Sequence, residues 1–373
     1  MRLLVTSHAY VVAANHPKLE LLARLPDVDL TLICPTKVRR ELMTVRVQST
    51  EHPDYQILPL RTVYPSHNYR FFYWTVGRAM ARIAPDLLHV EEEPWSLAAW
   101  QAARYRRRHP EARLVLFTWQ NLPVTYGFPH ERIRRSVLAA ADAVIAGNAE
   151  AADILRDGGF DKPIHVLPQF GVDESRYAKR PDPALRRELA LDGFVVGYAG
   201  RLVPEKGLDL LLEALAGLDG PWSLLLVGGG PLRRELAARL AQPPFAGRAM
   251  LLDVVPHDQM PGYLNCMDAL VLPSRSVPQW KEQFGHVLIE AMACKVAVVG
   301  SSCGEIPHVI ADAGLVFPEG DAAALREALR RLMASPDERV ALAARGRERV
   351  LAHYTHARIA AATHAIHREV LAR

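Results

Sequence analysis

The chain has too few cysteines, and in the wrong places, for a disulfide framework or a thiolate metal site. Its four, Cys34, Cys266, Cys294 and Cys303, include no CxxC pair and sit mostly in apolar runs. Buried free thiols in a reducing, cytoplasmic setting follow as the expectation. No run of about 18 uninterrupted apolar residues occurs, so no spanning helix is expected. Nor does a charged-then-apolar export segment open the sequence, because MRLLVTSHAY is a short apolar strand pattern broken by a polar loop. The glycines at 228–230 lack the GxGxxG spacing of a dinucleotide fold. Nucleic-acid motifs are missing as well, and nucleic acid is not an expected partner. Excess charge is slight: the net value is +4, and residues 1–185 carry roughly all of it. The one DxD-like string, Asp27-Val28-Asp29, precedes a strand and so falls at the wrong end of a sheet for a ligand. It reads as turn chemistry, and no metal ligands are expected.

What is present is alternation. At 373 residues the chain exceeds one ordinary core and predicts two domains of roughly 150–200 residues. Residues 3–7, LLVTS, and 29–34, DLTLIC, are strand patterns separated by the helical HPKLELLARL. Further strands read at 87–93, 114–118, 141–147 and 163–173, and the proline-bearing SRYAKRPDP after Asp173 reads as a linker. A second strand–helix series starts near Leu185 and runs to FPEG, with a helical tail beyond. Each half predicts an α/β domain, a doubly wound parallel sheet. Ligands then lie at the carboxyl ends of strands.

That rule selects candidates. In the first half they are the loop Ser7 to His16, with His8, Asn15 and His16; Glu92 and Glu93 after the strand LLHV; and Trp119, Gln120 and Asn121 after LVLFT. Three carboxylates at a strand end are solvated, cap the next helix, or bind hydroxyls and accept a proton. An indole beside two amides suits carbohydrate. The stretch 66–83, SHNYRFFYWTVGRAMARI, reads as an amphipathic helix, either packed with its arginines snorkelling or lying against a membrane or a lipid-linked acceptor.

In the second half, Gly200 and Arg201 end the strand FVVGYA, and Lys206 lies five residues after Arg201. A guanidinium fork and an ammonium at one strand-to-helix junction can converge on a diphosphate. The stretch EQFGHVLIE sets Glu282 before a helix that starts near Gly285, with His286 and Glu290 on one helical face. A helix start is an anion site, so a sugar nucleotide is the ligand class this stretch suggests.

GRLVPEKG, LVGGGPLRREL, LLDVVPHDQM with LVLPS, EQFGHVLIEAMA and GSSCGEIPHVI occur in that order. Together they resemble glycosyltransferase family 4, retaining nucleotide-sugar transferases of the two-domain GT-B fold. The resemblance covers nearly all of the second domain and is looser over the first, where ADAVIAGN and GVD carry it. It implies two Rossmann-like domains facing across a cleft: 1–180 plus 357–373 on the acceptor side, and 185–356 for the donor. Arg201 and Lys206 then match the diphosphate-neutralising pair, and Glu282 the acid that binds the transferred sugar; these three are the implied catalytic residues. Glu290 matches the ribose-binding acid. Phe284, Gly285, His286 and Val287 match the diphosphate cradle, Gly228 a donor-loop glycine, and Val255, Pro256 and His257 the base loop. No cofactor is implied beyond the nucleotide sugar itself, and the acceptor is a glycan, lipid-linked or small-molecule hydroxyl. Two departures stand out: family glycines fall where this chain has Ala14 and Asn15, and a family histidine falls where it has Gln120. A non-catalytic sugar-nucleotide or glycan-binding module and a sugar-nucleotide epimerase are the alternatives.

Overall fold

The structure, a computed structural model, describes residues 1–39, 44–49, 51–64 and 71–373. It separates into two compact units, Met1–Gly171 with His356–Arg373, and Val172–Thr355.

The first unit is built on seven parallel strands. Their spatial order is Ile164–Val166, Ala143–Ala146, Arg113–Thr118, Leu87–Val90, Arg2–Thr6, Asp29–Pro35, Gln56–Leu60. The central strands LLHV and RLLVT are buried almost throughout, as both-face-covered parallel strands must be. One face is sealed by the helix Leu97–Arg108, whose Ser96 accepts the Ala99 amide as an N-cap. The opposite core contains Leu19 and Leu22 from Pro17–Ala23 together with Ala360, Ile366 and Val370 from the last helix, His356–Leu371.

The second unit carries six parallel strands in the order Ala249–Leu252, Trp222–Val227, Phe194–Ala199, Ala269–Leu272, Ala297–Ser301, Leu315–Phe317. FVVGYA, WSLLLV and ALVL are fully buried, again the signature of a sheet covered on both sides. Among the described residues, no helix is long and apolar enough to cross a membrane.

Three readings change. The stretch 66–83 is not one helix: Phe72–Tyr73 pairs antiparallel with Thr62–Val63, and the helix is only Val76–Ile83. Residues 66–70 of that reading lie outside the described residues. The stretch after Asp173 is packed rather than a free linker. Tyr177 is buried, and Asn265 accepts the Arg180 amide and donates to the Ala178 carbonyl. The expected boundary near 180 therefore falls at 171, because these residues bond to the second unit. At the end of the helix Leu97–Arg108, Arg106 holds Asp142 and Arg107 holds Ser136. Asp27 meets His364 and Arg368 of the last helix, away from the ligand edge.

Candidate active site

Strand order in the second sheet reverses between Phe194–Ala199 and Ala269–Leu272, so the loops leaving these strands flank a crevice at the carboxyl edge. The first loop carries Gly200 and Arg201, then one 3-10 turn, Pro204–Lys206, before the helix Leu208–Ala216. The second carries Ser274. Both reach Glu282. Lys206 Nζ donates to Glu282 Oε2 at 2.5 Å, and Ser274 Oγ donates to the same oxygen at 2.7 Å. The Lys206 ammonium also stands 4.8 Å from the Trp280 ring centroid. Glu282 is buried, its amide on Cys303 Sγ and its carbonyl accepting the Glu305 amide, so its position is fixed from both sides. Arg201 is exposed and pairs with Glu205 at 3.6 Å, while its carbonyl accepts the Tyr198 hydroxyl at 2.6 Å. Thus the two cations expected to share one diphosphate each hold a carboxylate here.

Three residues past Glu282, Gly285 takes φ 82°, a conformation that strains any residue with a Cβ, and opens the helix His286–Ala293. That start is flanked by buried Phe284, whose ring is 4.9 Å from His286 and 5.6 Å from Tyr354. Val287 is half-buried in the first turn. Desolvation holds His286 below its ordinary value. One turn on, Glu290 Oε1 is 3.5 Å from His257 Nε2. That hydrogen bond raises His257 above its ordinary value against a smaller opposing effect of burial. Val255 and Pro256 precede it in the loop leaving Ala249–Leu252.

Gly228 ends the strand Trp222–Val227 at φ 149°, and a Cβ there would lie 1.9 Å from the Gly200 carbonyl oxygen. Backbone meets backbone at this point. Gly228→Ala is therefore expected to lose about 1–3 kcal/mol from conformation alone and to displace Arg201. Denaturant unfolding checks it: the midpoint falls at unchanged slope.

The first sheet reverses between Arg2–Thr6 and Leu87–Val90. There the His8 amide donates to Glu92 Oε1 at 2.7 Å, and His8 Nδ1 sits 2.8 Å from Glu92 Oε2. Glu93 accepts from Thr118 Oγ1 at 2.5 Å and from the Trp119 amide at 3.0 Å. Burial nevertheless pushes its carboxyl up to about 7. His8, Glu92 and Glu93 thus gather at one edge. The other residues singled out in this half are tied into the structure. His16 is buried, with Nε2 on the Tyr10 carbonyl and Nδ1 on the Tyr55 hydroxyl, and Asn15 donates to the Ala9 carbonyl. Trp119 packs on Gly147, where a Cβ would lie 2.2 Å from the indole, and its Nε1 donates to Gln169. Gln120 donates to the Leu122 carbonyl, and Asn121, buried, donates to Glu150 at 3.4 Å. Sequence reasoning missed Ser274, Trp280, Tyr177, Lys18 and Gln169. Only Ser274 carried a usable signal, since it follows a buried strand at the ligand edge.

Residues 183–349 match the family described as glycosyl transferases group 1. The chain is 31% identical over 262 residues to alpha-maltose-1-phosphate synthase of Mycolicibacterium smegmatis, covering 64% of this chain and 66% of that one. It is also 31% identical over 280 residues to that organism's GDP-mannose-dependent alpha-(1-6)-phosphatidylinositol monomannoside mannosyltransferase, covering 72% and 66%. The chain thus spans 66% of the length of both curated relatives. Among solved structures, Anabaena Alr3699/HepE in complex with UDP superposes at TM-score 0.77, with 17% identity and 99% of each chain covered. Two parallel-sheet α/β units that reverse at matching strands, with this likeness across the chain, establish the GT-B fold, and residues 183–349 carry a glycosyl transferase group 1 region.

Proposed function

We propose that the protein transfers a sugar, with retention, from a nucleoside diphosphate sugar to a hydroxyl of a glycan, glycolipid or small molecule, in polysaccharide or glycoconjugate synthesis. The observation that carries this is the Lys206–Glu282–Ser274 constellation at the switch point of the second sheet, beside the start of the helix His286–Ala293. The family match over 183–349 and the UDP bound by Alr3699/HepE support a nucleotide-sugar donor.

In this reading the Glu282 carboxylate, oriented by Lys206 and Ser274, accepts a hydroxyl of the donor sugar. Glu290 accepts the ribose hydroxyls. Arg201, Lys206 and the helix start stabilise the charge that develops on the departing diphosphate, which supplies electrostatic catalysis without a metal. The anomeric carbon–oxygen bond to the diphosphate breaks as the acceptor oxygen bonds on the same face, and a diphosphate oxygen takes the acceptor proton. Glu93, whose carboxyl burial pushes up to about 7, is an acceptor-side group able to bind or exchange a proton.

The test is thermal unfolding with UDP-glucose, GDP-mannose and ADP-glucose, followed by acceptor-dependent release of nucleoside diphosphate. A donor at about 100 times its Kd adds roughly 2.7 kcal/mol. One base should shift the melt. No shift with any base sinks the proposal, and a shift with no turnover on any acceptor pool identifies a binding module instead.

A further inference from the structure

The polar stretch after Asp173 delivers a side chain beneath the candidate ribose acid. Tyr177 is 1% exposed, and the Arg347 guanidinium fixes its backbone by donating to the carbonyls of Tyr177 at 2.7 Å and Glu174 at 2.9 Å. The Tyr177 hydroxyl lies 3.2 Å from His257 Nε2, 3.4 Å from Nδ1 and 3.4 Å from the His257 carbonyl oxygen. The two rings meet edge to face at 5.6 Å. His257 Nε2 is in turn 3.5 Å from Glu290 Oε1, the imidazole being half-exposed and the carboxylate largely buried. Three segments far apart in sequence therefore converge on one carboxylate.

We propose that Tyr177 and His257 are positioning residues for Glu290, with the His257 ring holding that carboxylate oriented toward the ribose hydroxyls of the nucleotide sugar. This rests on the reading of Glu290 given above. In the imidazolium Nε2 donates to Glu290, while the Tyr177 hydroxyl, set against the ring, is a donor placed for the His257 carbonyl and for Glu290. The surroundings favour that form on balance: Glu290 and Asp258 attract it, while burial and Arg176 oppose it.

The sign follows. A histidine whose folded value is raised gives a pair that is complete below the ordinary value of 6.5 and is lost as pH climbs through the folded value. Nucleotide-sugar affinity is therefore expected to fall as pH rises above 6.5. Nucleotide sugars are phosphodiesters and do not titrate in this range, so the change belongs to the protein.

Two measurements test this on the full chain. The first is a 13C NMR titration of histidine rings, with the His257 signal assigned by its loss in His257→Gln. It should show a raised value in the wild type that drops in Glu290→Gln. The second is calorimetric binding of UDP-glucose, GDP-mannose and ADP-glucose from about pH 6 to about 8.5. The wild type should weaken several-fold with rising pH, and His257→Gln should be flat. Tyr177→Phe should raise the donor KM and leave kcat unchanged. An ordinary His257 titration overturns the proposal, as does affinity that rises with pH or a profile that His257→Gln shares with the wild type. If no nucleotide sugar binds at any pH, the functional reading itself falls, and this inference falls with it.

Discussion

Glu282→Gln is expected to lower sugar transfer by about 10²–10³-fold, the loss typical when one preorganised electrostatic contact is removed. Its carboxylate oxygen accepts from both Lys206 and Ser274, so the oxygen is aimed before any donor arrives. The amide keeps the shape but cannot balance the ammonium. Glutamine is the informative variant because alanine confounds two effects. Lys206 and Glu282 side chains are 12% and 8% exposed, and cutting a pair at that depth costs about 3–5 kcal/mol by leaving one charge behind. Ser274→Ala serves as the graded control, removing one hydrogen bond to a charged group, about 1.5–3 kcal/mol. Steady-state kcat and kcat/KM, read beside the melting curve, separate chemistry from folding. Full activity in a folded Glu282→Gln protein would remove this residue from the mechanism.

The second large effect lies in the first unit. Lys18 and Glu91, 2% and 0% exposed, form an ion pair that is among the most deeply buried of the described residues. The ammonium also faces the rings of Tyr10 and Phe170, at 5.8 and 5.5 Å. Glu91 passes the constraint on, since its other oxygen accepts from Gln169, which in turn accepts the Trp119 indole N–H. Lys18→Met or Glu91→Leu alone should cost about 3–5 kcal/mol. In a unit of this size each kcal/mol moves Tm by about 2–4 °C, so each single variant should melt roughly 10 °C lower. The double variant should regain most of that, because an apolar pair replaces an ionic one at little net cost. Circular dichroism melts decide it. Single variants within about 1 kcal/mol of the wild type would show that water reaches the pair.

Much of the second unit could be read from its letters. Gly285 followed by HVLIEAMA marks a helix start, and that helix spans His286–Ala293. The strands FVVGYA, WSLLLV and ALVL are buried runs, and Gly200 and Gly228 stand where two strand ends touch. Local composition specifies these features, so one sequence suffices. Pairing across the chain is different. Nothing near Lys206 says that its partner is 76 residues away. The stretch around Tyr177 has a linker's composition, and its burial depends on Asn265 and Arg347 far along the chain. His16 looked accessible because it ends a loop at the ligand edge, but Tyr55, from a segment with no signal of its own, closes it off. Phe72 and Tyr73 fit a helical period equally well, yet a hairpin partner at Thr62–Val63 takes them. In each case a residue distant in sequence decides.

The last helix gives the first unit a particular order of assembly. Ala360, Ile366 and Val370 fill the same core as Leu19, Leu22 and Leu32, and His367 reaches His89 at 3.0 Å. A chain emerging from a ribosome makes the strands of this unit first and their cover last, after every residue of the second unit. During that interval the sheet face awaiting the helix stays open to water, a surface on which chaperones or neighbouring nascent chains can act. The core of the first unit is therefore complete only once residues 356–373 have been made.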